Sequence, residues 1–382
     1  KENPEGVIVQ FGGQTAINLV KPLYDAGIKI LGTSIDSIDI AEDRKRFNDL
    51  LHSLGALQPE GKSVVSFDEA LGVANRLGYP LLVRPSYVIG GHAMEIVNND
   101  DDLFQYMRFA TDISPEHPVL VDRYVLGKEA EVDVICDGED VFIPGIFEQI
   151  ERAGVHSGDS MAVFPPFNLT EDEKSTIIKN TVAIGRALKV VGLMNIQYVI
   201  KGGKVYCIEV NPRASRTVPI ISKVTGIGMV SIATRIMTGK KLKDFGYSTG
   251  LLTPPDFYTI KAPVFSFDKL KLVETSLGPE MKSTGEVLGL GFKKVNALFK
   301  AMSASGINIP KAGNALISIA NRDKEELFDL AQRLLNLGYK LYGTKETYKF
   351  LADKGIEINP AYLPGDGVPN VIELMKDNVI DL

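Results

Sequence analysis

Apolar runs and polar breaks divide the chain into short strands alternating with amphipathic helices. The run at residues 6–11, GVIVQF, stops at Gly12-Gly13; a helical pattern follows over 14–26, and 28–31 is a second buried strand. This is one βαβ unit, which cannot close a core by itself. A helix is expected over 36–54, charged on one side through Glu42, Asp43, Arg44, Lys45 and Arg46. Ser66 and Glu69 form a capping box for a helix ending near Gly78. Strands at 81–84 and 93–97 read as a hairpin around the loop 86–91, and a helix near 101–110 leads to a strand at 119–125.

Two strands flank the Asp137-Gly138 turn, at 131–136 and 141–146. Thr170 and Glu173 cap a long helix running to about Lys189, and a hairpin follows at 195–200 and 205–211. Residues 240–282 lose periodicity around Pro254-Pro255 and Pro263, which suggests a domain edge and a connector. Beyond 283, strands and helices alternate as in a small doubly wound α/β domain.

The chain has 382 residues, enough for two or three domains. Lys and Arg total 42 against 48 Asp and Glu, a net charge of −6, which argues against nucleic-acid binding by bulk charge. No apolar run approaches the ~18 residues of a membrane span. Cys136 and Cys207 sit in apolar alternating stretches and read as reduced core residues, which points to a cytoplasmic protein. Lys1 in place of Met, with no signal pattern after it, suggests that the chain starts inside a longer polypeptide.

The chemistry concentrates in NIQYVIKGGKVYCIEVNPRASRTVP, residues 195–219. Strand alternation places Gln197 on one face of the first strand. It puts Cys207, Glu209 and Asn211 together on one face of the second, with Ile208 and Val210 turned into a core. A two-residue Gly202-Gly203 turn would separate Gln197 from Glu209. A three-residue loop, Lys201-Gly202-Gly203, would bring them together, and that loop is expected. Gln197, Glu209 and Asn211 then present oxygen ligands suited to Mg²⁺ or Mn²⁺. Arg213 and Arg216 follow, placed to clamp a phosphoryl group or an anionic substrate. In 83–94, Arg84 precedes a loop with Gly90 and Gly91, whose backbone could approach phosphates. The polar loop 154–160 holds His156, Ser157 and Asp159. Lys128-Glu129 follows a strand edge where an acid could accept ribose hydroxyls. Salt bridges, solvated charges and a plain hairpin are the bland alternatives at each position.

Taken together, RPSYVIGG, AGVHSGDS, EVNPRASRTVP and STGEVLGLG resemble the second synthetase half of the carbamoyl-phosphate synthetase large subunit, an ATP-grasp family. The resemblance implies a mixed α/β and α+β fold. A pre-ATP-grasp α/β remnant would span 1–42 and an ATP-grasp domain 43–250, with a mobile lid at about 78–125. A connector and linking helix would span 251–305, and a methylglyoxal-synthase-like regulatory domain, cut short at its C-terminus, 306–382. It implies that Arg44 and Arg84 contact ATP and its phosphates, that Arg123 and Val125 meet the adenine, and that Glu129 meets the ribose. Gly154, Val155, His156 and Ser157 would line the nucleotide pocket. Gln197 and Glu209 would serve nucleotide and metal, with Asn211 a third metal ligand, and Arg213 and Arg216 would hold the acid substrate, carbamate. Lys261, Ser318, Thr344 and Thr347 match regulatory positions, the last three for an effector phosphate from a nucleotide.

Ornithine-responsive relatives carry a carboxylate after the lysine equivalent to Lys261; Ala262 stands here, although Glu151 and Asp159 match other ligand positions. Implied partners are a first synthetase half and a glutaminase subunit. The competing expectations are another ATP-grasp carboxylate ligase, of the biotin-carboxylase kind, and an excised nucleotide-binding regulatory fragment.

Overall fold

In the computed structural model, residues 2, 4–85, 94–113, 118–267, 269, 275–321 and 324–382 are described. The expected phosphate loop at 86–91, with Gly90 and Gly91, lies outside them. The chain divides into two compact units, Lys1–Gly306 and Ile307–Leu382.

The first unit holds two sheets. A four-stranded antiparallel sheet runs in the order β1 (Gly61–Val64), β4 (Val119–Arg123), β2 (Leu81–Pro85), β3 (Glu95–Val97). The helix Phe67–Leu77 starts where the Ser66 hydroxyl accepts from the Glu69 N–H, and it ends at Gly78. That helix and Asp100–Ile113 lay apolar stripes on the sheet, so Val73, Leu77, Leu103 and Met107 pack with Leu81, Val83 and Val121.

The larger sheet has eight strands. Its path is β12 (Gly285–Gly291), β11 (Tyr258–Val264), β7 (Ala162–Phe164), β6 (Val141–Gln149), β5 (Lys128–Asp137), β8 (Val191–Lys201), β9 (Lys204–Asn211), with β10 (Gly250–Leu251) pairing to β6. The Thr170–Glu173 capping box forms, and it starts the helix Glu171–Ala187. Ile177 and Ile184 on that helix pack against Val132, Val134, Ile196 and Tyr198. The buried Tyr198 hydroxyl meets its hydrogen-bond need at Thr181, 2.9 Å away. On the opposite face, helices Val218–Thr225 and Met229–Met237 cover Ile135, Phe147 and Leu193. Both cysteines are free and buried. No single helix among the described residues is long and apolar enough to cross a membrane.

Three local expectations are corrected. The irregular stretch 251–305, expected as a connector and linking helix, supplies β11 and β12 to the main sheet and the helix Lys294–Ala304 that packs on them. Its prolines tolerate this because they lie outside the strands or, as Pro263, near a strand end. The helix expected over 36–54 is two, Ile35–Glu42 and Arg44–Ser53: the Asp43 backbone is extended, and its carboxylate caps the second by accepting from the Arg46 N–H. At the N-terminus the two expected strands reduce to one parallel bridge, Val7 to Ile30, and the helix between them splits into Gly13–Ile17 and Val20–Asp25. Pro22, inside the second helix, cannot donate to the Asn18 carbonyl, which weakens the ladder where the two helices part.

The second unit is a parallel sheet, β13 (Asn314–Ile317), β14 (Lys340–Thr344), β15 (Asn359–Ala361). Helices Lys324–Asn336 and Lys345–Asp353 pack on it through Leu327, Ala331 and Leu351.

Candidate functional site

A pocket of about 290 Å³ opens between the two sheets of the first unit. One wall is apolar: Val125, Ala153, Val199 and Ile208 pack into one cluster, and Leu82 and Pro59 are among the residues that extend it. The other side is polar, and its geometry begins in the β8–β9 hairpin.

Gln197 does pair with Glu209, but through a different device from the expected loop. Lys201 pairs with Lys204, so the turn is the two-residue Gly202-Gly203, both at positive φ (57° and 74°). The register then shifts by one between Tyr198–Cys207 and Gln197–Glu209, a β-bulge at Ile208. The bulge changes the faces as well. Cys207 and Val210 point into the main core, whereas Ile208, Glu209 and Asn211 all line the pocket. The expectation that Cys207 shares a face with Glu209, and that Ile208 is a core residue, fails for this reason.

The polar side is a connected chain of side chains. The Gln197 amide donates to the Ser157 hydroxyl (3.2 Å), and the Asn211 amide donates to Glu209 (2.9 Å). Arg213 donates to the Asn211 oxygen (3.1 Å). Gln197, Glu209 and Asn211 therefore lie along one edge of the pocket and offer only oxygen donors. Among the described residues, no cluster of three or more His, Cys, Asp or Glu side chains is placed to hold a metal. An amide–carboxylate–amide set with an open side suits a hard divalent cation that completes its shell elsewhere.

Behind this edge lies an acidic strand face of which the sequence pattern had marked only Glu129. Glu129, Glu131 and Asp133 alternate along β5 and are all buried. Burial pushes the Glu129 carboxyl up to about 8; a bond to the Gly154 backbone opposes this, and repulsion from Glu131 and Glu209 adds to it. Burial raises Asp133 as well, with Glu131 adding to the shift. Asn195 donates to both Glu131 (2.8 Å) and Asp133 (3.1 Å), and Ser215 donates to Asp133 (2.8 Å). The Thr217 hydroxyl touches both acids. The signal was in the sequence: acids at alternate positions of a strand whose other positions are Ala130, Val132 and Val134. A cation beside Glu209 would relieve this repulsion, so the residues present fit Mg²⁺ or Mn²⁺.

The four-stranded sheet contributes Arg84 and Asp122 to the lining. Asp122 accepts from Arg44 at 2.6 Å and lies 4.0 Å from Arg84. Arg123 also lines the pocket and pairs with Glu60 at 3.3 Å. Gly154, Val155, His156 and Ser157 close one side. Gly154 sits at φ 108°, and a Cβ there would collide with the Tyr124 hydroxyl, so the position favours glycine. Burial lowers the His156 imidazole, and its Nδ1 accepts from the Gly158 N–H at 3.0 Å.

Comparison with known proteins agrees with this geometry. The family model for the carbamoyl-phosphate synthase L chain ATP binding domain matches residues 43–245. The chain belongs to the carbamoyl-phosphate synthase large-chain family. The preATP-grasp domain model of the same synthase matches residues 1–40, and the MGS-like domain model matches 326–382. Among solved structures, the biotin carboxylase domain of Hydrogenobacter thermophilus 2-oxoglutarate carboxylase, bound to MgADP, ADP and bicarbonate, is similar at TM-score 0.63 and 18% identity. That match covers 78% of this chain and 74% of that one. Biotin carboxylase from Campylobacter jejuni matches at TM-score 0.57 and 17% identity, over 69% of this chain and 59% of that one. The fold of the first unit is thus ATP-grasp, the fold of an ATP-dependent ligase.

Of the positions matched to this family, Arg44, Arg84, Arg123, Val125, Glu129, the 154–157 loop, Gln197, Glu209, Asn211 and Arg213 all line the one pocket. Arg216 does not. It donates to the Ser283 hydroxyl (3.1 Å) and lines a separate cavity with Lys223 and Glu286. Lys261 is fully buried; it donates to the Ser157 carbonyl (2.8 Å) and lies 3.9 Å from Glu286. Glu151 accepts from the Met161 N–H, and the buried Asp159 accepts from the N–H groups of Lys282 and Ser283. In the second unit Thr344 donates to the Ser318 hydroxyl (3.1 Å), and the buried Thr347 hydroxyl accepts from the Ile319 N–H (3.2 Å).

Proposed function

We propose that this chain uses ATP to phosphorylate carbamate, giving carbamoyl phosphate. The observation that carries the reading is the juxtaposition of an apolar slot with a file of polar groups: Gln197, Glu209 and Asn211, then Arg213. The adenine would sit against Val125, Val199 and Ile208. The Glu129 carboxyl would take ribose hydroxyls, and Arg44 and Arg84 would face the phosphates. Mg²⁺ or Mn²⁺, when bound by Gln197, Glu209 and Asn211, would neutralise charge on the transferring phosphoryl group.

Phosphoryl transfer to a carboxylate-like acid needs no protein nucleophile. It needs the two anions held in line and their repulsion cancelled, which is the work of Arg213 beside the metal ligands. Arg216, reaching from the neighbouring cavity, would guide the anion rather than hold it at the reacting phosphate. Carbamate decomposes in water, so closure of the four-stranded lid over the pocket would protect it. In the second unit, Ser318, Thr344 and Thr347 would receive an effector phosphate. The first synthetase half and a glutaminase would supply the carbamate in the intact enzyme.

The test is ATP formation from ADP and carbamoyl phosphate. Wild-type chain should form ATP, and Glu209→Ala should lose roughly a hundredfold or more. A folded wild type that binds Mg·ADP but forms no ATP would overturn the reading. Bicarbonate-stimulated ATP hydrolysis in its place would favour a biotin-carboxylase-like acid, the reading that the fold of the solved neighbours supports.

A further inference from the structure

Arg213 does not hold itself in place. Its Nε donates to the Gln14 oxygen (3.3 Å), one terminal nitrogen to the Ala214 carbonyl (3.2 Å), and the other to Asn211 (3.1 Å). Three of its five N–H groups are engaged, which leaves two for an anion. The residues on either side of it are clamped by the same N-terminal segment. Gln10, 1% exposed, donates its amide to the Pro212 carbonyl (2.8 Å), and its backbone oxygen accepts from the Ala214 N–H (2.8 Å). Gln14 itself donates to Glu42 at 2.6 Å and lines the pocket. Its amide can be oriented in one way only. Arg213 offers donors alone and Glu42 offers acceptors alone, so the oxygen faces the guanidinium and the nitrogen faces the carboxylate.

We propose that Gln14 is a positioning residue for the acid substrate: the relay Glu42–Gln14–Arg213 fixes which two guanidinium N–H groups face the pocket. The N-terminal segment thus completes the anion end of a site otherwise built by the ATP-grasp domain. Gln14 acts through Arg213, and it is not part of the apolar cluster of Val125, Val199 and Ile208. Its loss therefore weakens the acid and spares the nucleotide. The idea rests on the carbamate reading only for the identity of the acid.

The test compares the full chain with Gln14→Ala, with Gln14→Glu, and with Gln14→Glu combined with Glu42→Gln. Two readouts are taken: KM values for carbamoyl phosphate and ADP in ATP formation, and calorimetric affinity for inorganic phosphate with Mg·ADP present. Gln14→Ala should raise the KM for carbamoyl phosphate and weaken phosphate binding by about fivefold to tenfold, with the KM for ADP unchanged. Gln14→Glu sets two carboxylates against each other and should be at least as impaired. The double variant restores a donor facing an acceptor at both contacts and should recover to within about twofold of wild type.

Equal losses for ADP and carbamoyl phosphate would overturn the proposal. So would a double variant no better than Gln14→Glu, an unchanged Gln14→Ala, or a wild type that binds no phosphate. If the wild type forms no ATP yet phosphate affinity falls in Gln14→Ala and returns in the double variant, the positioning role stands and the carbamate reading falls.

Discussion

Gln197 and Glu209 face each other across β8 and β9 because Ile208 is an extra residue in the second strand. The bulge does two things in one step. It holds Gln197 and Glu209 in register, and it turns Ile208 from the core to the apolar wall of the pocket. The tight turn and the bulge have separable costs. Gly203→Ala meets no atom within 4 Å but forces alanine to φ 74°, so it should lower stability by about 1 kcal/mol and leave nucleotide affinity unchanged. Ile208→Ala should do the reverse, weakening Mg·ADP binding about fivefold with a small effect on folding. Urea denaturation and calorimetric titration of the two variants separate the outcomes.

Asp122 ties two arginines to one pocket wall. It accepts from Arg44, lies near Arg84, and is buried. Burial pushes its carboxyl up while both guanidinium groups pull it down. The same pair of cations repel each other, and burial already lowers Arg44. Asp122→Asn keeps the shape and removes the charge. It should destabilise the protein by about 3 kcal/mol, the cost of stripping one partner from a buried ion pair. Mg·ADP should recover part of the loss, because phosphates replace the missing anion. A shift in the denaturation midpoint that nucleotide does not offset would contradict this.

What the sequence made legible follows from periodicity. Glu209 and Asn211 lie two apart, so they share a face under any regular strand, and Arg213 follows within reach. The bulge breaks period 2 only at Ile208-Glu209, and a single apolar residue out of phase is indistinguishable from ordinary variation. Arg216 illustrates a different limit. Three residues from Arg213, it would share a helical face, but helix begins only at Val218, so the two side chains leave the loop toward separate cavities. The contacts of Gln10 and Gln14 with residues 211–214 span about half the chain, and no local pattern encodes them. The strand β11 was hidden, and β12 was legible as a strand but not as a member of the main sheet, for a related reason: the two pair over a long separation in sequence.

Lys261 and Glu286 form the most buried ion pair described in the first unit, on adjacent strands and 3.9 Å apart. Lys261 also supports the Ser157 carbonyl, and Ser157 in turn receives Gln197. Lys261→Met should cost about 3 kcal/mol, since it leaves Glu286 between the Arg216 cation and the repelling Glu131 carboxylate and removes the donor beneath the 154–160 loop. Adding Glu286→Gln should restore much of that stability, but not Mg-dependent nucleotide affinity, because the Ser157 carbonyl stays unsupported. A thermodynamic cycle with both readouts checks the prediction; additive stability losses would show that the pair is not coupled.

Glu129 makes the site sensitive to pH. Its folded value of about 8 lies above the ordinary 4.5, so the folded chain keeps a proton that the unfolded chain gives up. Stability should therefore fall as pH rises from about 4.5 toward about 8, and the penalty should be fully developed above the upper value. Glu129→Gln stays neutral throughout and should flatten this part of the slope, leaving the share that Asp133 contributes. Denaturation midpoints at about pH 5, 6.5 and 8 for both proteins measure the difference. A divalent cation at the neighbouring Glu209 favours the ionised form of Glu129, so binding Mg·ADP near neutral pH should release protons. Calorimetry in two buffers of different ionisation heat reads that release directly. It should shrink in Glu129→Gln, and an unchanged release would place the titrating proton on another group.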